Sequence, residues 1–371
     1  MPVIAALLSW LAAASAIAAP EEQLLGGCLV LHDETKEITL PAGVTRTCLA
    51  RGREFDARRW RRDLAPLLAT LEAAHALARQ VRPGERPEIL VLYHQAFPHA
   101  ATLQTKTAVV ILLDDGLLDR IERAVSALLV DWSPRLALPD RFEGPGLEDW
   151  LEILRTPVPG DIPEPRPEPQ ALRHAPERLA VARPWLVAAL AFVLAHERAH
   201  AYSPYRTCDY AGLDPLKLEM ACDRQALESF RGTAVQERVA FTALPWLVTL
   251  GYHERYWHDR IQAAAARESA FGDQEDLLIT RQWLERARAL HELWKTWPRE
   301  RHWPRALAAP LKAYLERILS GRAPVPASEN PSACRAGLHL ETVRAESGDV
   351  TLKLRSEKLS AVRADVEVQW R

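Results

Sequence analysis

Residues 185–200 read WLVAALAFVLAHERAH. The first part of this stretch, Trp185 to Ala195, carries no charge and no turn-forming residue. Wound as a helix it is apolar on every face, and such a helix is buried all round. Its end delivers His196, Glu197 and His200 from the core. His196 and His200 are four apart, so a helix places both imidazoles on one face, one turn apart. Polar groups emerging from a core need partners, and a metal ion is one. Two imidazoles can take two corners of a tetrahedral zinc site. Glu197, next to the first histidine, is placed to accept a proton from a zinc-activated water.

A third ligand comes from residues 218–223, LEMACD, which follow after a loop containing Pro204, Gly212 and Pro215. That spacing lets one helix end, the chain turn, and a second helix return beside the first. Glu219 and Asp223 are again four apart and share a face. Glu219 completes a His2Glu set with a fourth position open to water. Asp223 is expected behind it, accepting the free N–H of a ligand histidine and fixing its tautomer. Cys222 competes for the third position, since thiolate is a good zinc ligand. Catalytic sites favour His2Glu, while thiolate-rich sites are more often structural.

His-Glu-x-x-His followed by Glu-x-x-x-Asp resembles the gluzincin clan of zinc metallopeptidases. The short distance from His200 to Glu219 is most similar to the compact minigluzincin core of HtpX-like peptidases. Residues 108–130, AVVILLDDGLLDRIERAVSALLV, resemble the strand-turn-helix that precedes the active-site helix in that clan. The resemblance covers about residues 85–230. It implies a zincin-like core with a small antiparallel sheet and an active-site helix. It also implies a substrate-facing edge strand, here Val109, Val110 and Ile111, pairing with peptide through its backbone. Related enzymes stabilise the oxyanion with a Tyr, His or Arg from outside the motif. Tyr202, Tyr205, Tyr210, His253 and His302 are the candidates, with Tyr205 and His302 preferred. His302 lies in residues 301–318, RHWPRALAAPLKAYLERI, which resemble a His-Pro-Arg region of some relatives. Two features depart from the family: a Pro-rich insertion before the active-site helix, and Cys222 where the family commonly has Ala.

The wider chain supports a globular enzyme. It has 371 residues, 48 % of them hydrophobic and 26 % charged, with a formal charge of −2, an ordinary soluble balance. No basic stripe of the kind that marks a nucleic-acid partner is present. Residues 28–32 and 37–40 read as short strands, residues 55–80 as a helix ended by Pro83-Gly84, and Ile89–Tyr93 and Val109–Leu113 as strands. Asp114-Asp115-Gly116 turns the chain into a helix. Prolines at 157, 159, 163, 165, 167 and 169 exclude regular structure from residues 157–170. Residues 233–320 read as mostly helical with breaks near Pro245, Gly251, Gly272, Pro298 and Pro304. The tail alternates at Val350, Leu352 and Leu354, and at Val366, Val368 and Trp370, as strands do. His253 and His258 are five apart, which turns them away from a shared metal.

The expected fold is α+β and mainly helical, with short terminal strands that pair in one small β module. Expected segments are a signal peptide at 1–19, an N-terminal β segment at 20–54, a zincin-like domain at 55–325, and a C-terminal β segment at 326–371. The opening MPVIAALLSWLAAASAIAAP has the apolar run and small-x-small end of a secretory signal, so an exported, periplasmic or extracellular protein is expected, with no stable transmembrane span after cleavage. Leu25-Gly26-Gly27-Cys28 has the form of a lipoprotein box but stands apart from the apolar run, beyond Glu21 and Glu22. Five cysteines suit an oxidising compartment; Cys28 with Cys48, and Cys208 with Cys222, are candidate pairs. The functional expectation is a zinc-dependent metallopeptidase acting on peptide or protein substrates. The alternative is a non-catalytic periplasmic binding module with a structural or relic zinc site.

Overall fold

A computed structural model describes residues 29–32, 37–40, 46–50, 65–84, 86, 88–93, 100–104, 109–138, 142–155, 168–202, 215–268, 277–297, 307–320, 338–344 and 350–356. The expected signal peptide, the centre of the Pro-rich insertion, the loop at 203–214 and the strand at 366–370 lie outside the described residues.

The protein is mainly helical. Eight helices are described: α1 (Ala65–Val81), α2 (Asp115–Trp132), α3 (Leu147–Arg155), α4 (Pro176–Tyr202), α5 (Pro215–Ser229), α6 (Gln236–Glu268), α7 (Leu277–Lys295) and α8 (Ala308–Leu319). The strands are β1 (Leu29–His32), β2 (Glu37–Leu40), β3 (Arg46–Ala50), β4 (Glu88–Tyr93), β5 (Ala100–Gln104), β6 (Val109–Asp114), β7 (Leu338–Arg344) and β8 (Val350–Ser356).

The order of the larger sheet is β1-β3-β4-β6-β5. It corrects three expectations. The sheet is not simply antiparallel: β1–β3, β3–β4 and β4–β6 are parallel pairs, and β5 alone runs antiparallel, against β6. The strands within 20–54 are not a separate segment, because β3 pairs directly with β4 and carries the sheet across the expected boundary. Finally, Val109, Val110 and Ile111 are not on an edge. β6 is hydrogen-bonded on both sides, and all its residues are buried. Its run of apolar side chains is the mark of a strand covered on both faces, and its backbone has no free side to offer a peptide. The edge belongs to β5, which pairs with β6 only among the described residues and carried too little apolar alternation to be read as a strand.

The smaller sheet is β2-β8-β7. The expected pairing of first and last strand segments is found here, with Ile38 opposite Leu352, while β1 and β2 do not pair with each other.

α4 is the central helix. It is long and apolar enough to cross a membrane by length and composition, and most of that stretch is buried inside the protein. It packs against α1, α2, α5, α6, β5 and β6, which is why its apolar residues show no preferred face. α2 begins where Asp114 accepts a hydrogen bond from Gly116 N at 2.7 Å, a side-chain cap for an otherwise orphaned donor. α6 runs unbroken through Pro245 and Gly251, where breaks were expected. Val239, Ala240, Phe241, Ala243, Leu244, Leu247 and Val248 are buried around Pro245, and this packing outweighs the local cost of a proline inside a helix.

Beneath the last turns of α4 lies a buried charged cluster. Arg198 is 0 % exposed. It donates from Nε to Glu88 Oε1 at 2.8 Å and from Nη1 to the Ala78 carbonyl at 2.5 Å. Glu88 also meets His75 Nε2 at 3.1 Å and accepts from Tyr202 Oη at 2.9 Å. The cluster ties α1, β4 and α4 together. Gly84 lies against it: a Cβ there would stand 2.5 Å from Tyr202 Oη and 2.6 Å from Glu88 Oε1. Burial pushes the Glu88 carboxyl up, but its bonds to His75 and Arg198 and the Arg198 charge outweigh this and hold it below the ordinary range. A depressed carboxyl stabilises the fold above its unfolded value, and that contribution is lost as pH falls through the folded one. Glu88→Ala leaves Arg198 buried without its partner and is expected to cost about 3–5 kcal/mol, read from urea unfolding at pH 7. A loss under 1 kcal/mol would mean that the cluster does not hold these elements together.

Candidate metal centre

α4 enters the site as a buried helix, so its histidines project from a rigid support. His196 and His200 are 6 % and 7 % exposed. Their Nε2 atoms lie 3.1 Å apart and their rings meet edge to face. α5 returns beside α4 and presents Glu219. Its Oε2 lies 3.2 Å from His196 Nε2, and its Oε1 lies 3.4 Å from His200 Nε2. The ligand atoms of His196, His200 and Glu219 all fall within 4.8 Å of one another. Two imidazole nitrogens and a carboxylate oxygen on a common point make a donor set that suits a divalent transition metal.

The second nitrogen of each histidine faces away from that point. His196 Nδ1 lies 2.8 Å from Asp223 Oδ1. His200 Nδ1 lies 3.4 Å from Cys222 Sγ. Cys222 therefore sits behind His200 and not among the candidate donors. It is a free thiol; Cys208, its candidate partner, lies outside the described residues. Burial raises its pKa, and the charges of Glu219, Asp223 and Glu197 raise it further.

Two partners had no signal in the sequence. Arg286, on α7, donates from Nε and Nη2 to Asp223 at 2.6 and 2.9 Å, and its Nη1 lies 3.2 Å from Glu219 Oε2. It is 6 % exposed and lies over the Trp283 ring. Sixty-three positions separate Arg286 from Asp223, and no local pattern links them. The second is Thr102 on β5, whose Oγ1 is 2.9 Å from both the main-chain oxygen and the Oε2 of Glu197.

The candidates for oxyanion stabilisation fare differently. Tyr202 points to Glu88 and not to the ligands. Tyr205, Tyr210 and His302 lie outside the described residues. His253 falls within α6, and its side chain is outside them too.

These contacts set the charges. Burial disfavours a charged His196, but Asp223 and Glu219 more than offset it and raise its pKa to about 10. Burial also disfavours ionised Glu219 and Asp223, but Arg286 and the histidines outweigh this, holding Glu219 well below the ordinary range and Asp223 below it. Arg286 and His196 thus stand as the cationic partners of Asp223 and Glu219.

Comparison with protein-family models, with curated proteins and with solved structures finds no match for this chain.

The raised pKa of His196 has a stability consequence. The folded chain holds this proton more tightly than the unfolded chain. Its contribution is full below the usual value of 6.5 and is lost as pH rises through about 10. Metal-stripped protein is expected to lose stability across that window, and Asp223→Asn to flatten the loss, as measured by chemical unfolding at a series of pH values. A slope unchanged by the substitution would remove Asp223 as its cause.

Proposed function

We propose that the protein is an exported zinc-dependent metallopeptidase of the gluzincin kind, with a zincin-like core. The observation that carries this reading is the meeting of three donors from two helices, His196, His200 and Glu219, beside a buried carboxylate that is not one of them, Glu197. Export rests on the apolar opening of the sequence.

His196 Nε2, His200 Nε2 and a Glu219 oxygen would hold the ion, and three protein donors leave a fourth position open. A zinc ion there would supply Lewis acidity and a water with a pKa lowered to about 7. Glu197 is 5 % exposed and follows the first ligand directly. It accepts the proton released as water attacks the peptide carbonyl, then returns it to the leaving amine. Asp223 holds His196 by Nδ1, which directs its Nε2 lone pair toward the ion. Arg286 holds Asp223 in turn and balances its charge.

A peptide substrate is supported by β5. Its outer edge is unpaired among the described residues, and Thr102 on it touches Glu197. An extended peptide added to that edge would lie beside the general base. β5 thus takes the substrate-facing role that the family resemblance assigned to Val109, Val110 and Ile111. Against a closed structural zinc site stands Cys222, the nearest additional soft donor, which lies behind His200 and away from the open position.

Two measurements test the reading. Glu197→Gln is expected to retain zinc in metal analysis while hydrolysis of a casein or peptide-library substrate falls by at least about 100-fold. Retained zinc with undiminished cleavage would sink the assignment of the base. Glu219→Ala is expected to lose zinc on dialysis where Cys222→Ala keeps it. Equal retention by the two variants would overturn His2Glu ligation.

A further inference from the structure

Glu197 Oε2 and the Glu197 main-chain oxygen both lie 2.9 Å from Thr102 Oγ1. One hydroxyl has one proton to donate and two lone pairs with which to accept. It therefore meets two acceptors on the same residue and can donate to only one of them at a time. Thr102 stands on β5, an edge strand of the larger sheet, opposite Ile111 in the buried strand β6. A β-branched side chain on a strand has few rotamers, so the hydroxyl is held in place by the fold of its own residue.

From this geometry we infer that Thr102 is a positioning residue for the general base, Glu197, tying its carboxylate to the edge of the sheet. With Glu197 ionised, the hydroxyl donates to Oε2. That fixes the carboxylate plane and leaves Oε1 to face the water. The same bond suits the carboxyl group after it has taken a proton on Oε1, because Oε2 is then a carbonyl oxygen that still accepts from the hydroxyl. The strand that would receive substrate thereby also orients the base, which places the two against each other without an added element. This role rests on the peptidase reading of the site.

The test uses the full chain, with zinc content and binding of a dipeptide hydroxamate as readouts besides hydrolysis. A hydroxamate binds the metal and leaves a proton with the general-base carboxylate, so it reports on Glu197 without turnover. Thr102→Val removes the hydroxyl and keeps the shape and strand preference. It is expected to retain zinc, to keep KM within about twofold, and to lower both kcat and hydroxamate affinity by about tenfold or more. Thr102→Ser restores the hydroxyl and is expected to recover both to within about threefold. In a Glu197→Gln background, Thr102→Val is expected to change hydroxamate affinity by less than about twofold, because its effect runs through the carboxylate. Equal losses in both backgrounds, or no loss in either, overturn the role of Thr102. If Thr102→Val does not fold, Thr102→Ala is carried through the same cycle with the same expectations. A parent chain that binds neither zinc nor the hydroxamate overturns the peptidase reading, and the role of Thr102 falls with it. A parent that binds both leaves the reading standing whatever Thr102 does.

Discussion

The ionised Asp223 side chain is 1 % exposed. A carboxylate taken out of water is costly unless it is both paired and hydrogen-bonded, and Asp223 finds its partners on two other helices. His196 comes from α4 and Arg286 from α7. One buried charge thus requires three helices, α4, α5 and α7, to converge at a single point. The candidate metal centre lies at that point. Glu219, one turn before Asp223 on α5, is carried into contact with both histidines by the same convergence. Arg286 reaches Glu219 as well as Asp223, so both carboxylates have a cationic partner before an ion is considered.

α4 is clamped on its opposite face by a second buried charge. Arg198 lies two residues from His196 and two from His200, about 200° round the helix from each. It is bound by Glu88 of β4 and the Ala78 carbonyl of α1. The two variable positions within the His-Glu-x-x-His pattern are therefore not neutral here. Ala199 is buried with Leu218 and Cys222 in a small apolar contact between α4 and α5, and Arg198 anchors the helix to the sheet. With ion pairs on both sides, the last turns of α4 have little freedom to rotate. Rigid supports of this kind give catalytic geometry its precision.

The sheet contributes at one place. Its buried strand β6 is paired on both sides, by β4 and by β5, and β5 packs against α4. The contact between Thr102 and Glu197 links the edge of the sheet to that helix. An element added to that edge would lie close to the Glu197 side chain.

The linear chain determined what depends on short spacing. A four-residue repeat places His196 with His200, and Glu219 with Asp223, on common faces because helical geometry is local and regular. The apolar stretch before His196 marks a buried helix for the same reason. Alternation marked β8, and Asp114-Gly116 marked the start of α2. What the chain did not show depends on contacts between distant segments. The place of β6 inside the sheet follows from which strands flank it, not from its own composition. β1 and β3 join the core sheet while β2 joins the terminal one, a choice that strands of four or five residues do not encode. α6 passes through Pro245 because its burial outweighs a local preference. Arg286 is one arginine among many until the packing of α7 against α5 buries it beside Asp223. Thr102 gains its meaning only from the helix that ends above it. Spacing can state which residues share a face; only tertiary packing decides what that face meets.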